Sequence, residues 1–213
     1  MAEAKEQEYG FELVGGRVCL DFVNTLNGSR DTGETEEKLT GYEELISWGR
    51  QAGLVKEREA RELLREAARN PKEARAIIER ARELREAIYR IISAATHDRA
   101  PVRADLAVLN GELARAMAQS EILNTAEGFV WDWSEGGKDV SLDRVLWPVA
   151  RSAAELLTSE EMRRARVCEA DDCTWLFMDL SKNRSRRWCD MKYCGNRAKS
   201  RRHYERKRSA VSN

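Results

Sequence analysis

The sequence predicts a mainly α-helical protein with a small β-strand pair, organised as a helical N-terminal domain over residues 1–157 and a cysteine-pinned module over residues 158–213. Three patterns predict it. Apolar residues recur every three or four positions through most of the first 157 residues, as in helices with one buried face. The stretch from Ile122 to Trp133 breaks that rhythm and reads as two short strands joined near Glu127-Gly128. Beyond it, four of the five cysteines form two matched pairs, Cys168-x4-Cys173 and Cys189-x4-Cys194, with fifteen residues between them.

A short strand is expected before the Gly15-Gly16 turn and a helix from about Cys19. Cys19 itself, between Val18 and Leu20, reads as a small buried residue. Thr40-x-x-Glu43 has the capping-box pattern and opens a helix carrying Leu45, Ile46, Trp48 and Leu54. Another helix runs from about Lys56 to about Asn70. Asn70-Pro71 then supplies an N-cap and a proline at the first helical position, with Glu73 complementing the dipole. From there Ile77, Ala81, Leu84, Ile88, Ile91 and Ala95 share one face of a long helix. After Pro101, Leu106, Leu109, Leu113 and Met117 repeat the spacing. Past a Gly136-Gly137 turn, Leu142 to Leu157 restore a helical stripe in which Pro148 predicts a kink.

The cysteine pairs carry the chemistry. Two short pairs at this separation bring four thiolates to one point, which suits one zinc ion in a tetrahedral sulfur site. Cys168, Cys173, Cys189 and Cys194 would fill all four positions, so this zinc is structural. Thr174 to Met178 reads as a strand, Asp179 to Arg187 as a polar loop, and a helix follows Gly195-Asn196. That order describes a treble-clef-like four-cysteine zinc finger, whose folding energy comes chiefly from metal. The N-terminus lacks a signal peptide's basic start and apolar stretch, and no apolar run approaches the roughly 18 residues of a membrane span. A cytoplasmic protein without a membrane partner is expected, and a reducing cytosol favours zinc over disulfides.

The formal net charge of zero hides an asymmetry. Residues 163–208 hold fifteen Lys/Arg against six Asp/Glu, and the remainder twenty-two against thirty-one. A basic segment on an acidic body points to a polyanion, with a merely solvated basic terminus as the alternative. The helix after Cys194 is basic nearly all round, so its charges repel one another unless something negative lies against them. Nucleic acid is that partner in this reading. Arg197, Lys199, Arg201, Arg202 and Arg206 on the helix and Arg184, Arg186 and Arg187 in the loop are the candidate contacts. Trp188 is expected in the core and not as a stacking platform.

Cys194-Gly195-Asn196-Arg197, with both cysteine pairs and the Ser185-Arg-Arg-Trp-Cys189 lead-in, resembles the CGNR zinc-finger family over about residues 160 to 207. The segment Gly15-Gly16-Arg-Val-Cys-Leu-Asp21-Phe22-Val23-Asn24-Thr25-Leu26 resembles the opening motif of the ABATE domain that precedes such fingers. The resemblance implies a bacterial, stress-induced transcription regulator. Its finger would bind DNA and its helical body would act as a sensor.

Three functions follow from the residues: a zinc-dependent DNA-binding regulator, an RNA- or ribosome-binding zinc protein, and a metal-dependent nuclease. The nuclease reading is disfavoured. His97 and His203 are the only histidines and lie far apart in sequence, so no general base beside a second metal site is visible. A homodimer is a further expectation, because one small finger offers few base contacts. For a small ligand the candidates are Asp21, Asn24 and Thr25, just after the Gly-Gly turn, with Trp131 or Trp133 as a wall. Helix capping and core packing would explain the same residues.

Overall fold

A computed structural model describes residues 10–133, 141–201 and 207. In chain order it has α1 (Val18–Val23), β1 (Leu26–Ser29), β2 (Glu34–Glu37), α2 (Tyr42–Gln51), α3 (Glu57–Arg69), α4 (Pro71–Thr96) and α5 (Arg103–Ala118). β3 (Ser120–Thr125), β4 (Gly128–Trp133), α6 (Leu146–Thr158), β5 (Ala165–Val167) and β6 (Leu176–Met178) follow. A wide turn of π type, Met191–Gly195, runs directly into helix α7 over 196–201. Among the described residues the strands form three separate antiparallel pairs, β1 with β2, β3 with β4 and β5 with β6. The protein is mainly helical, as its periodicity predicts.

α4 is the axis of the body. It packs against α1, α2, α3, α5, α6 and β5, so more than one side is covered. The predicted stripe Ile77, Ala81, Leu84, Ile88 and Ile91 is buried, with Ala95 half-buried at its end, and Ile78, Arg85 and Ile92 are buried as well. Each fully buried Ile or Leu stabilises by about 1.5–3 kcal/mol, which makes this helix the largest single contributor to the core. Cys19, Leu20, Phe22 and Val23 from α1 and Leu45, Ile46 and Trp48 from α2 close over it, with the Phe22 and Trp48 rings tilted against each other at 5.0 Å between centroids. Burial also pushes the Cys19 thiol up to about 11, so it behaves as the small apolar residue expected.

Arg85 is only 3% exposed and gives two hydrogen bonds of 2.6 Å to Glu37. Burial would raise the Glu37 carboxyl, but the Arg85 guanidinium more than offsets this and holds it below the usual range. Arg85 also pairs with Glu86 at 3.0 Å, so the buried guanidinium is held by two carboxylates. The pair with Glu37 also explains the β1–β2 hairpin, whose Glu-rich second strand lacks the apolar alternation that marks a strand in sequence.

Several local expectations are corrected. Residues 10–14 form no strand; Phe11 is instead tied to the Gln51 side chain of α2. The capping box at Thr40 is absent, since α2 begins at Tyr42 with Gly41 as N-cap and no side-chain capping bond. Asn70 does occupy the N-cap of α4, but its amide donates to Glu66. α5 buries Asp105, Leu109, Glu112 and Ala116, while Leu106 and Leu113 are half-buried and Met117 is exposed. The face is rotated because Arg90 pairs with Asp105 at 2.6 Å and Arg80 with Glu112 at 2.7 Å, drawing two acids inward. Pro148 sits in the first turn of α6, where its missing N–H has no intrahelical partner to lose, and so need not kink the helix. The Gly136-Gly137 turn lies outside the described residues.

Candidate metal centre and nucleic-acid interface

The finger is built on β5 and β6, paired Ala165 to Met178, Arg166 to Phe177 and Val167 to Leu176. The Cys168 N–H extends the ladder to the Trp175 carbonyl at 2.8 Å, and the chain then turns through the first cysteine pair. β6 is buried on both faces. Leu176 and Met178 enter the body core, whereas Phe177, next to Trp175, packs with the four cysteines in a second, smaller core. A two-residue alternation thus lets one strand serve two interiors.

The loop after β6 is held by Asp179, which is fully buried. Its carboxylate accepts from the Ser181 amide at 2.9 Å, the Ser181 hydroxyl at 2.6 Å and the Arg186 amide at 3.0 Å. Asp190 then caps the next turn by accepting from the amides of Lys192 at 2.6 Å and Tyr193 at 3.0 Å. The helical turn therefore starts before the last cysteine and not at Gly195-Asn196, so Cys194 sits inside it. Asp190 was the readable signal, a capping residue one position after Cys189. Gly195 has a steric reason: an added Cβ would stand 2.8 Å from the Met191 sulfur.

Cys168, Cys173, Cys189 and Cys194 are buried and free of disulfides, and their sulfurs all lie within 4.8 Å of one another. Sγ separations are 3.8 Å for Cys173 to Cys189 and 3.6 Å for Cys189 to Cys194. Four sulfurs at about 2.3 Å from a tetrahedral zinc stand about 3.8 Å apart, so the cluster fits the ion. Four thiolates packed this closely repel one another, and hydrogen bonding to Cys168 pushes the Cys173 and Cys189 thiols up. A zinc ion supplies the charge that permits them and, with all four positions filled by sulfur, serves as a structural anchor.

The predicted basic residues separate into distinct groups. Arg186 is bound inside the finger: its Nε donates to the Trp188 carbonyl at 2.9 Å, it reaches the Cys189 carbonyl, and its guanidinium lies 4.6 Å over the Phe177 ring. Arg187 pairs with Glu169 at 2.5 Å, Arg197 with Asp172 at 3.3 Å, and Arg201 with Asp171. Arg184 and Lys199 are exposed, as are Lys182 and Lys192. Arg202 and Arg206 lie outside the described residues, as does His203. Trp188 is half-buried against the cysteine core, as expected.

Asp21, Asn24 and Thr25 do not converge. Asn24 clips the finger to the body: its amide donates to the Leu176 carbonyl and its oxygen accepts from the Leu176 amide, both at 2.9 Å. Thr25 donates to the Phe22 carbonyl at 2.7 Å. Arg30 completes the joint by binding Glu86 at 3.0 Å and stacking 4.1 Å from the Tyr89 ring, while its amide donates to Thr174 at 3.1 Å. No sequence pattern marked that residue. Asp21 alone faces a cleft of about 510 Å³ between α1, α6 and the end of β4, lined among others by Arg17, Trp133, Pro148 and Arg151. Its carboxylate accepts from the Gly15 amide at 2.8 Å, and burial raises it to about 6. The Gly15 carbonyl in turn accepts from the Met178 amide of β6 at 2.8 Å. A Cβ on Gly15 would lie 2.7 Å from that of Leu20, and Gly16 has φ +79°, so both glycines are sterically required.

Fold and site together define a helical protein with an integral four-cysteine zinc finger. The chain belongs to the ABATE family, described as "Putative stress-induced transcription regulator" and matched over residues 16–160, and residues 164–207 match the CGNR zinc finger. One structural zinc ion accordingly belongs to the protein. No curated protein matches the chain. Among the described residues no helix is long and apolar enough to cross a membrane.

Proposed function

We propose that the protein is a zinc-dependent transcription regulator of the cytoplasm, in which Cys168, Cys173, Cys189 and Cys194 hold the ion, the finger contacts DNA and the helical body senses a ligand. The observation that carries the reading is a metal-pinned module bearing exposed Lys182, Arg184, Lys192 and Lys199 on an otherwise acidic protein. Phosphate neutralisation releases counterions, so binding falls steeply with salt, and it requires zinc because metal sets the finger's geometry. Genomic fragments selected at physiological salt, with and without chelator and against competitor RNA, test this. Enrichment of specific duplexes only in zinc-loaded protein is expected. Preferential retention of RNA would replace the regulator with the RNA-binding alternative.

The sensing half rests on the Asp21 cleft. Its guanidiniums, Arg17 and Arg151, already pair with Glu161 and Glu155, so a small organic anion with an apolar body would bind beside Trp133 and Pro148 by displacing those carboxylates. The Asp21-Gly15-Met178 chain of hydrogen bonds links that cleft to β6 of the finger. Benzoate should raise the thermal midpoint of the wild type and not of Arg151→Ala. An equal shift in both would place the anion elsewhere.

A further inference from the structure

We infer that Arg197 is a positioning residue of the zinc site, and that the face of α7 and its preceding turn offered to nucleic acid is the one carrying Lys192, Asn196 and Lys199. Arg197 follows Cys194 by one helical turn, so its side chain lies over the same face. Its NH2 donates to the Cys194 sulfur at 3.3 Å while its NH1 meets Asp172 at 3.3 Å. One guanidinium thus joins the second cysteine pair to the turn of the first. Arg201, one turn on, meets Asp171 of the same turn. Four thiolates around a zinc leave a net charge of −2. A fixed cation donating to one of them offsets part of that charge and orients the ligand, as outer partners of metal sites do.

The consequence concerns the opposite face. Lys192, Asn196 and Lys199 are spaced by four and three, and all three are exposed. Asn196 donates to the Lys192 carbonyl at 3.0 Å, which keeps this face regular where the wide turn meets the helix. Arg197 and Arg201 cannot reach a phosphate without releasing Asp172 and Asp171. Lys192 and Lys199 can. This second half rests on the nucleic-acid reading; the role of Arg197 does not.

Zinc release from the full-length, metal-loaded protein into a chromogenic chelator, together with the salt slope of duplex binding, tests both halves. Arg197→Ala should release zinc at least about ten-fold faster and expose Cys194 to iodoacetamide, with Arg197→Lys intermediate. Asp172→Asn, which leaves the guanidinium in place but unbraced, should also release faster and covers the case in which Arg197→Ala fails to fold. Lys192→Ala and Lys199→Ala should keep the wild-type release rate and each lower the salt slope by about one. Wild-type release from Arg197→Ala with a slope lowered by about one would make Arg197 a phosphate contact and overturn the assignment. Unchanged slopes in both lysine variants would overturn the face. If the wild type binds neither duplex nor RNA, the second half falls with the nucleic-acid reading, and the release rates still decide the first.

Discussion

The body and the finger solve the same problem, holding a small fold together, by different means. The body buries a continuous apolar core around α4 and uses arginines to satisfy acids drawn inward from its own helices, as in Arg90 with Asp105 and Arg80 with Glu112. The finger buries little beyond four cysteines, Ala170, Trp175 and Phe177, and braces them with Arg186, Arg187 and Arg197. In the body, arginine pairs fill the space between helices; in the finger, they compensate for a core too small to hold itself. The comparison teaches that counting positive charge overstates what is available to a polyanion. Among the described residues, the lysines of the finger face outward, whereas its arginines, Arg184 apart, are mostly held by partners within the finger.

Zinc removal should separate the two regions most sharply. Chelation is expected to open residues 165–201 to protease and lower the thermal midpoint while most of the helical circular dichroism survives, because structural zinc contributes about 10 kcal/mol or more to such modules. A finger that stays protease-resistant without metal would show that β6 alone anchors it. Asn24→Ala tests the joint directly. It leaves the Leu176 amide and carbonyl buried without their partners and should cost about 2–4 kcal/mol in urea denaturation. A loss below about 0.5 kcal/mol would mean the finger docks through its apolar strand face alone.

Asp21 gives the smallest effect and a defined sign. Its folded value of about 6 stands above its ordinary value near 3.8, so between those limits the folded state holds more protons and stability falls as pH rises. Above about pH 6 the penalty is complete. Asp21→Asn can still accept from Gly15 and should abolish that slope, making the protein more stable at pH 7.5 by about 1 kcal/mol, a discounted figure because Asp21 is partly exposed. Parallel pH profiles of variant and wild type would remove Asp21 from the linkage.

What could be read in the sequence follows from range of interaction. α4 was legible because twenty-six residues keep one period, and the β3–β4 hairpin because aromatic and branched residues flank a Glu-Gly turn. The four cysteines were legible because metal chemistry fixes their spacing. The position of α5 was legible but its buried face was not, because Asp105 and Glu112 are buried by partners on another helix, which apolar periodicity cannot register. The β1–β2 hairpin escaped notice for the same reason, its anchor Arg85 lying 48 positions from Glu37. The basic residues were legible as a charge, but the acids that occupy Arg187, Arg197 and Arg201 come from the turn of the first cysteine pair, folded back only once the sulfurs meet.

The double-sided strand β6 has a consequence for the life of the chain in a cell. Until the sulfurs gather round their ion, Leu176 and Met178 have no fixed place to deliver to the body, and the helices lack part of their own interior. Newly made chains starved of zinc would therefore be incomplete in both halves and open to quality-control proteases. The steady-state amount of this protein should follow the supply of metal.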